Sequence, residues 1–169
     1  MARKSSLREF QAHLAARLAG IEDQRAAGLI GFQSGADYWL VNLPDSGEII
    51  SLPPLTGVPM TKPWFVGIAN IRGNLYAVSD FSAFRQKEAT PRSAGSRLLL
   101  IGTRHGNNAA LLVTRILGLR NIDDLTPAAG DPEAPPWACD AYTDREGRRW
   151  RMLNVRCLFS DDIFMDIGI

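Results

Sequence analysis

The chain has 169 residues, 46% of them apolar, and a formal net charge of +1. That composition supports a packed core in one domain or two small lobes and excludes a globally disordered chain. A charge so close to zero gives no strong field for nucleic acid or for an acidic membrane surface. Along the chain, residues 5–19 carry a helical pattern in which Leu7, Phe10, Leu14, Leu18 and Ile21 recur at steps of three and four. Ser6 with Glu9 fits a capping box and Gly20 fits a stop. Residues 1–28 are therefore expected to be a helical extension, docked on its own domain or in a partner groove. Residues 29–169 are expected to be the main domain.

After Gly28 the period changes. Leu29 to Phe32 and Tyr38 to Leu43 read as strands around a turn at residues 33–37, and Glu48 to Leu52 reads as a third strand stopped by Pro53-Pro54. Pro63 to Phe81 then makes two apolar strands joined at Arg72-Gly73-Asn74, where Gly and Asn tolerate the positive φ of a tight hairpin. Arg72 and Asp80 are the only formal charges in that run. A charge beside buried strand needs a partner. For Arg72 that partner lies either inside the fold, at Asp80 or a carbonyl, or on another protein.

Residues 85–97 are polar with Pro and Gly and read as a mobile surface loop. Leu98 to Ile101 and Ala109 to Val113 form a second hairpin around residues 105–108, and Ile116 to Ile122 continues in extended form. Residues 126–138 hold four of the ten prolines and read as an irregular connection. A last hairpin uses 139–143 and 149–155, and Val155 to Phe164 begins a short helix. Many short strands with turn signals between them argue for barrels or a sandwich.

Chemistry is scarce. No Walker-type loop and no GxGxxG after a strand is present. His13 and His105 lie far apart without metal-ligand spacing and read as solvated surface histidines. Cys139 and Cys157 form no CxxC pair. With no secretory leader pattern they read as reduced thiols of a cytoplasmic protein, and no run of 18 apolar residues offers a membrane-spanning helix. An enzyme, a metal or another cofactor is not expected. Asp123, Asp124, Asp161, Asp162 and Asp166 read as helix-start or loop charge. Arg145, Arg148, Arg149, Arg151 and Arg156 interleave with Trp150. They read as a solvated hairpin face, as a protein-binding face, or as the stacking platform of a nucleic-acid-binding small β-barrel.

The run Gly67-Ile68-Ala69-Asn70-Ile71-Arg72-Gly73, followed by Leu75 to Asp80-Phe81, resembles the signature of CheW-like domains. In that family a proline-containing lead-in enters a G-x-x-N-L-R-G hairpin, and an apolar strand ends in V-x-D-L. Pro63 supplies the lead-in here, and Ile71 replaces the leucine. Residues 32–49, 98–119 and 150–159 resemble the family's opening strands, central hairpin and closing strand with helix. More narrowly, Pro63-Trp64-Phe65, Asn74-Leu75-Tyr76, Leu117 to Asn121 and the ending from Asp161 to Gly168 resemble the PilI type, the adaptor of twitching-motility systems of type IV pili. Two departures stand out: Ser46 where relatives carry an apolar residue, and Val113-Thr114 where they carry Val-Asp. Both suit a divergent adaptor serving a pilus system.

The resemblance implies a mainly β fold of two small SH3-like five-stranded β-barrels sharing a hydrophobic core. It implies a scaffold without catalysis, coupling the cytoplasmic tip of a methyl-accepting chemoreceptor to the regulatory domain of a CheA-type histidine kinase. Nucleic acid and membrane insertion are not implied. By motif position, Arg72, Asn70, Gly67, Gly73 and Glu48 are the candidate partner-binding residues. Asp80 remains the candidate for structural pairing with Arg72.

Overall fold

Leu98 to Ile101 and Ala109 to Val113 show no polar alternation, because their strands are buried on both faces. The computed structural model describes Gln11 and residues 28–169, so the N-terminal helix expected over residues 5–19, and His13 with it, lies outside the described residues. Eleven strands occur there: β1 (Gly28–Ser34), β2 (Asp37–Asn42), β3 (Ser46–Ser51), β4 (Phe65–Ile71), β5 (Asn74–Asp80), β6 (Arg97–Ile101), β7 (Ala109–Val113), β8 (Arg115–Asn121), β9 (Leu125–Ala128), β10 (Ala141–Asp144) and β11 (Arg149–Leu153). Three single-turn α-helices occur: α1 (Phe81–Phe84) after β5, α2 (Val155–Leu158) after β11, and α3 (Asp162–Met165) after α2.

The strands form a six-stranded sheet in the order β8-β1-β2-β11-β10-β9 and a five-stranded sheet in the order β3-β6-β7-β5-β4. The expected hairpins are present, and each sheet also holds one parallel pair, β2 with β11 and β5 with β7. Neither hydrogen-bond ladder closes on itself, which corrects the expectation of two five-stranded barrels: the first sheet has six strands, and both are open. The sixth strand is β9, in the segment expected to be irregular. Pro127 sits in it because β9 is an edge strand, where a missing N–H can be tolerated.

Between the sheets lies one core of Phe32, Trp39, Phe81, Leu99, Leu111, Trp137 and Leu153 with their neighbours. Its aromatic rings are in contact, with Trp39 4.9 Å from Phe81 and 6.1 Å from Trp137 between centroids. The other face of each sheet has a smaller cluster of its own, Leu29, Leu40 and Trp150 on one and Ala69, Val78, Leu98 and Leu112 on the other. A shared core between two β lobes is thus present although the ladders are open.

Asp80 does not pair with Arg72. It is buried, and it ends β5 by capping α1: one carboxylate oxygen accepts from Ser82 N at 3.0 Å and Ala83 N at 3.2 Å. The same carboxylate takes Thr90 N and Thr90 Oγ1, both at 2.7 Å. Residues 85–97 are therefore fastened at several points. Thr90 and Ser96 are buried, and the Arg85 side chain, 7% exposed, bonds Asp37 at 2.6 Å and the Ser34 carbonyl at 2.9 Å. The expectation of a mobile loop missed these anchors, because Asp80 precedes the loop and the Arg85 partners Ser34 and Asp37 are far away in sequence.

Asp144 organises the last hairpin. Its Oδ1 accepts from the backbone of Glu146 and Arg148, and its Oδ2 accepts the Trp150 indole N–H at 2.9 Å. Burial raises this carboxyl, but the Trp150 donor, the two backbone N–H groups and the Arg148 charge bring it below the ordinary aspartate value of 3.8.

Replacing Asp80 by Ala leaves three backbone donors and a hydroxyl without their acceptor. The variant is expected to lose roughly 2–4 kcal/mol in urea unfolding; a loss below roughly 1 kcal/mol would contradict the assigned role. For Asp144 the folded state binds the proton less readily than the unfolded chain. Its contribution is complete above the unfolded value near 4 and fades as pH falls through the folded one. The stability gap between the parent and Asp144→Asn should therefore narrow from pH 7 to pH 2.5, and a gap independent of pH would refute it.

Candidate functional site

The signature hairpin turns in two residues. Ile71 pairs with Asn74, and Arg72 and Gly73 have φ of +51° and +84°. Positive φ at both central positions is the primed type I turn that matches strand twist. Asn70 locks it, its Oδ1 accepting from Gly73 N at 2.9 Å. Arg72 is the costly member, since an L-residue with a Cβ is disfavoured there.

Arg72 is not buried. Its side chain is 76% exposed, and its Nη2 lies 2.6 Å from Glu48 Oε1. Glu48 belongs to β3 and the hairpin ends β4, which are the two outer strands of the five-stranded sheet. The ion pair therefore joins opposite edges of one sheet. The sheet is curled around its private cluster until its margins meet, and charge closes what the ladder leaves open. An exposed pair contributes little to stability, ~0–1 kcal/mol.

Gly67 acts differently. It sits at a register shift in β4 with φ of +132°, and a Cβ there would run into the Thr56 carbonyl. Its absence lets residue 56 lie along β4, with Thr56 N donating to the Ile68 carbonyl at 2.9 Å and Ile68 N donating back at 2.8 Å. The five signature candidates thus divide. Gly67, Asn70 and Gly73 shape the hairpin, while Arg72 and Glu48 present charge to solvent, with Leu75 (61% exposed) close by on β5.

The other candidates fall apart. Trp150 is fully buried with its N–H bonded to Asp144, so it offers no stacking platform to a nucleic-acid base. Arg145 pairs with Asp124 at 2.7 Å. Asp161 caps α3 and accepts the Trp137 indole N–H at 2.8 Å, and Asp166 pairs with Lys62 at 3.1 Å. His105 stands at its surface turn, with Nε2 3.2 Å from Asp45 Oδ1. Among the described residues no group of three or more His, Cys, Asp or Glu could hold a metal ion. Arg85, which the sequence placed in a polar loop, is packed against Trp39 and Phe81, with Cζ 4.9 and 5.2 Å from their ring centroids. Its only local signal is that it follows an apolar turn, Phe81 to Phe84.

The model of the CheW-like domain matches residues 28–162. The chain belongs to the CheW-like domain family. It is 30% identical over 143 residues to Protein PilI of Pseudomonas aeruginosa, covering 83% of this chain and 79% of that protein. Its fold is similar to the crystal structure of the scaffolding protein TtCheW from Thermoanaerobacter tengcongensis, with a TM-score of 0.67 and 17% identity over 81% of this chain and 94% of that one. The Arg72–Glu48 clasp and the Gly67 contact thus lie inside the matched CheW-like domain.

Gly67→Ala forces both a strained φ and a clash with backbone. It is expected to cost roughly 2 kcal/mol or more in chemical unfolding and to raise amide exchange at Ile68. An unchanged unfolding midpoint would show that residue 56 is not held by this contact.

Proposed function

We propose that this protein is a non-catalytic adaptor of a twitching-motility chemosensory system. In this reading it couples the cytoplasmic tip of a methyl-accepting chemoreceptor to the regulatory domain of a CheA-type histidine kinase, in the cytoplasm beside membrane-anchored receptors. Membership of the CheW-like family and similarity to Protein PilI support the reading. The observation that carries it is Arg72, an exposed cation held at positive φ beside Glu48. Gly or Asn would suit that backbone better. An arginine that strains its turn while adding little to stability fits a surface kept for association.

Arg72 and Glu48 are the contact pair in this proposal, and Gly67, Asn70 and Gly73 support them from within the hairpin. A desolvated arginine at the centre of an interface carries about 2 kcal/mol or more, roughly 30-fold in Kd. Arg72→Gly should therefore keep or slightly raise the unfolding midpoint while weakening binding to the kinase regulatory domain or the receptor tip by about that factor in calorimetry. Full-strength binding to both by a folded Arg72→Gly protein would sink the contact role.

A further inference from the structure

Strand β11 runs parallel to β2 with Arg151 registered against Trp39 and Leu153 against Val41. Registered residues on neighbouring strands face the same side of a sheet, so Arg151 lies on the side of the shared core. Its Cζ is 5.9 Å from the Trp39 ring centroid. Trp39 is fully buried, yet its indole Nε1–H has no acceptor among the described residues. A buried donor left unmet is uncommon and calls for an explanation.

Both residues line a cavity of about 410 Å³ beside Phe84 and Trp137, within the size range of ligand sites. Its charges are unequally committed. Arg85 is held by Asp37 and Ser34, whereas Lys87 and Arg151 have no side-chain hydrogen bond or ion pair among the described residues. On the acceptor side, Asp37 is engaged with Arg85, and Asp131 takes the backbone N–H of Glu133. The cavity therefore has two uncommitted cations to offer an incoming acceptor, with the unmet Trp39 indole buried in its wall.

Asp37 and Asp131 on the same walls would repel a dianion, which favours a singly charged carboxylate over a phosphate. Asp37 and Arg151 also wall a neighbouring cavity of about 270 Å³ that continues past Arg148 and Arg149. An extended acidic chain can reach both cavities, whereas a small acid fills one. We infer that the space between Trp39 and Arg151 is a docking site for an Asp or Glu side chain of an acidic segment on a partner protein. The Trp39 indole and the Arg151 guanidinium are its donors. Trp39 and Arg151 belong to the six-stranded sheet, whereas the Arg72–Glu48 clasp lies on the other, so the inference does not rest on the proposed function.

The test follows the Trp39 indole N–H resonance of the ¹⁵N-labelled full chain, identified by its loss in Trp39→Phe. The chain is titrated at low salt with a hexaglutamate peptide, with acetate, with a phosphoserine peptide and with a single-stranded oligonucleotide. The expected result is a saturable shift with hexaglutamate that weakens roughly tenfold in Arg151→Gln, with acetate weaker than the peptide. Tighter binding of acetate would retain the carboxylate chemistry but overturn the partner segment as its source. An unmoved Trp39 resonance, equal affinity in folded Arg151→Gln, or stronger binding of the phosphopeptide or oligonucleotide would overturn the site.

Discussion

One buried carboxylate sets the joint between the two halves of this domain. Asp80 ends the signature strand, starts α1 and holds Thr90 across the following loop. Those bonds decide where Phe81 and Phe84 enter the core and so where Trp39 and Trp137 find aromatic neighbours. A charge there is tolerable only because nearby donors surround it. The apolar core and the polar hub are thus one device: the rings supply cohesion, and the carboxylate supplies position.

The strands were legible because apolar runs and turn residues are local signals. Leu98 to Ile101 and Ala109 to Val113 announced buried strands, and Arg72-Gly73 announced a turn. Sheet order was not legible, since β2 finds β11 and β5 finds β7 in parallel across long stretches of chain. Strand β9 was hidden by its prolines, which are compatible with an edge but look like irregular chain when position is unknown. Open ladders also contradict the barrels that the family resemblance implied, although the edges of one sheet are still joined by an ion pair.

The candidate site was legible in its members and not in their division of labour. The motif identified Gly67, Asn70, Arg72, Gly73 and Glu48, but only geometry separates the three that build the hairpin from the two that face solvent. Asp80 was identified as a possible partner of Arg72, and the distance-blind sequence offered no way to see Thr90 instead. Arg85 escaped for a related reason. It sits in a polar-looking stretch, and its Trp39 neighbour comes from a distant strand, whereas Arg151 was legible only as one member of a charged hairpin and not as a neighbour of Trp39.

The segment laid along β4 at Thr56 has a wider consequence. By occupying backbone groups at that margin, it denies them to any incoming chain. A visitor to the hairpin is left to read side chains, an ion pair with the exposed Leu75 beside it. Recognition of that kind is sensitive to ionic strength and quick to exchange, unlike strand addition, which tends toward slow and irreversible growth. The glycine that makes room for Thr56 thereby acts on this margin of the sheet, where the backbone pair at Ile68 is already taken.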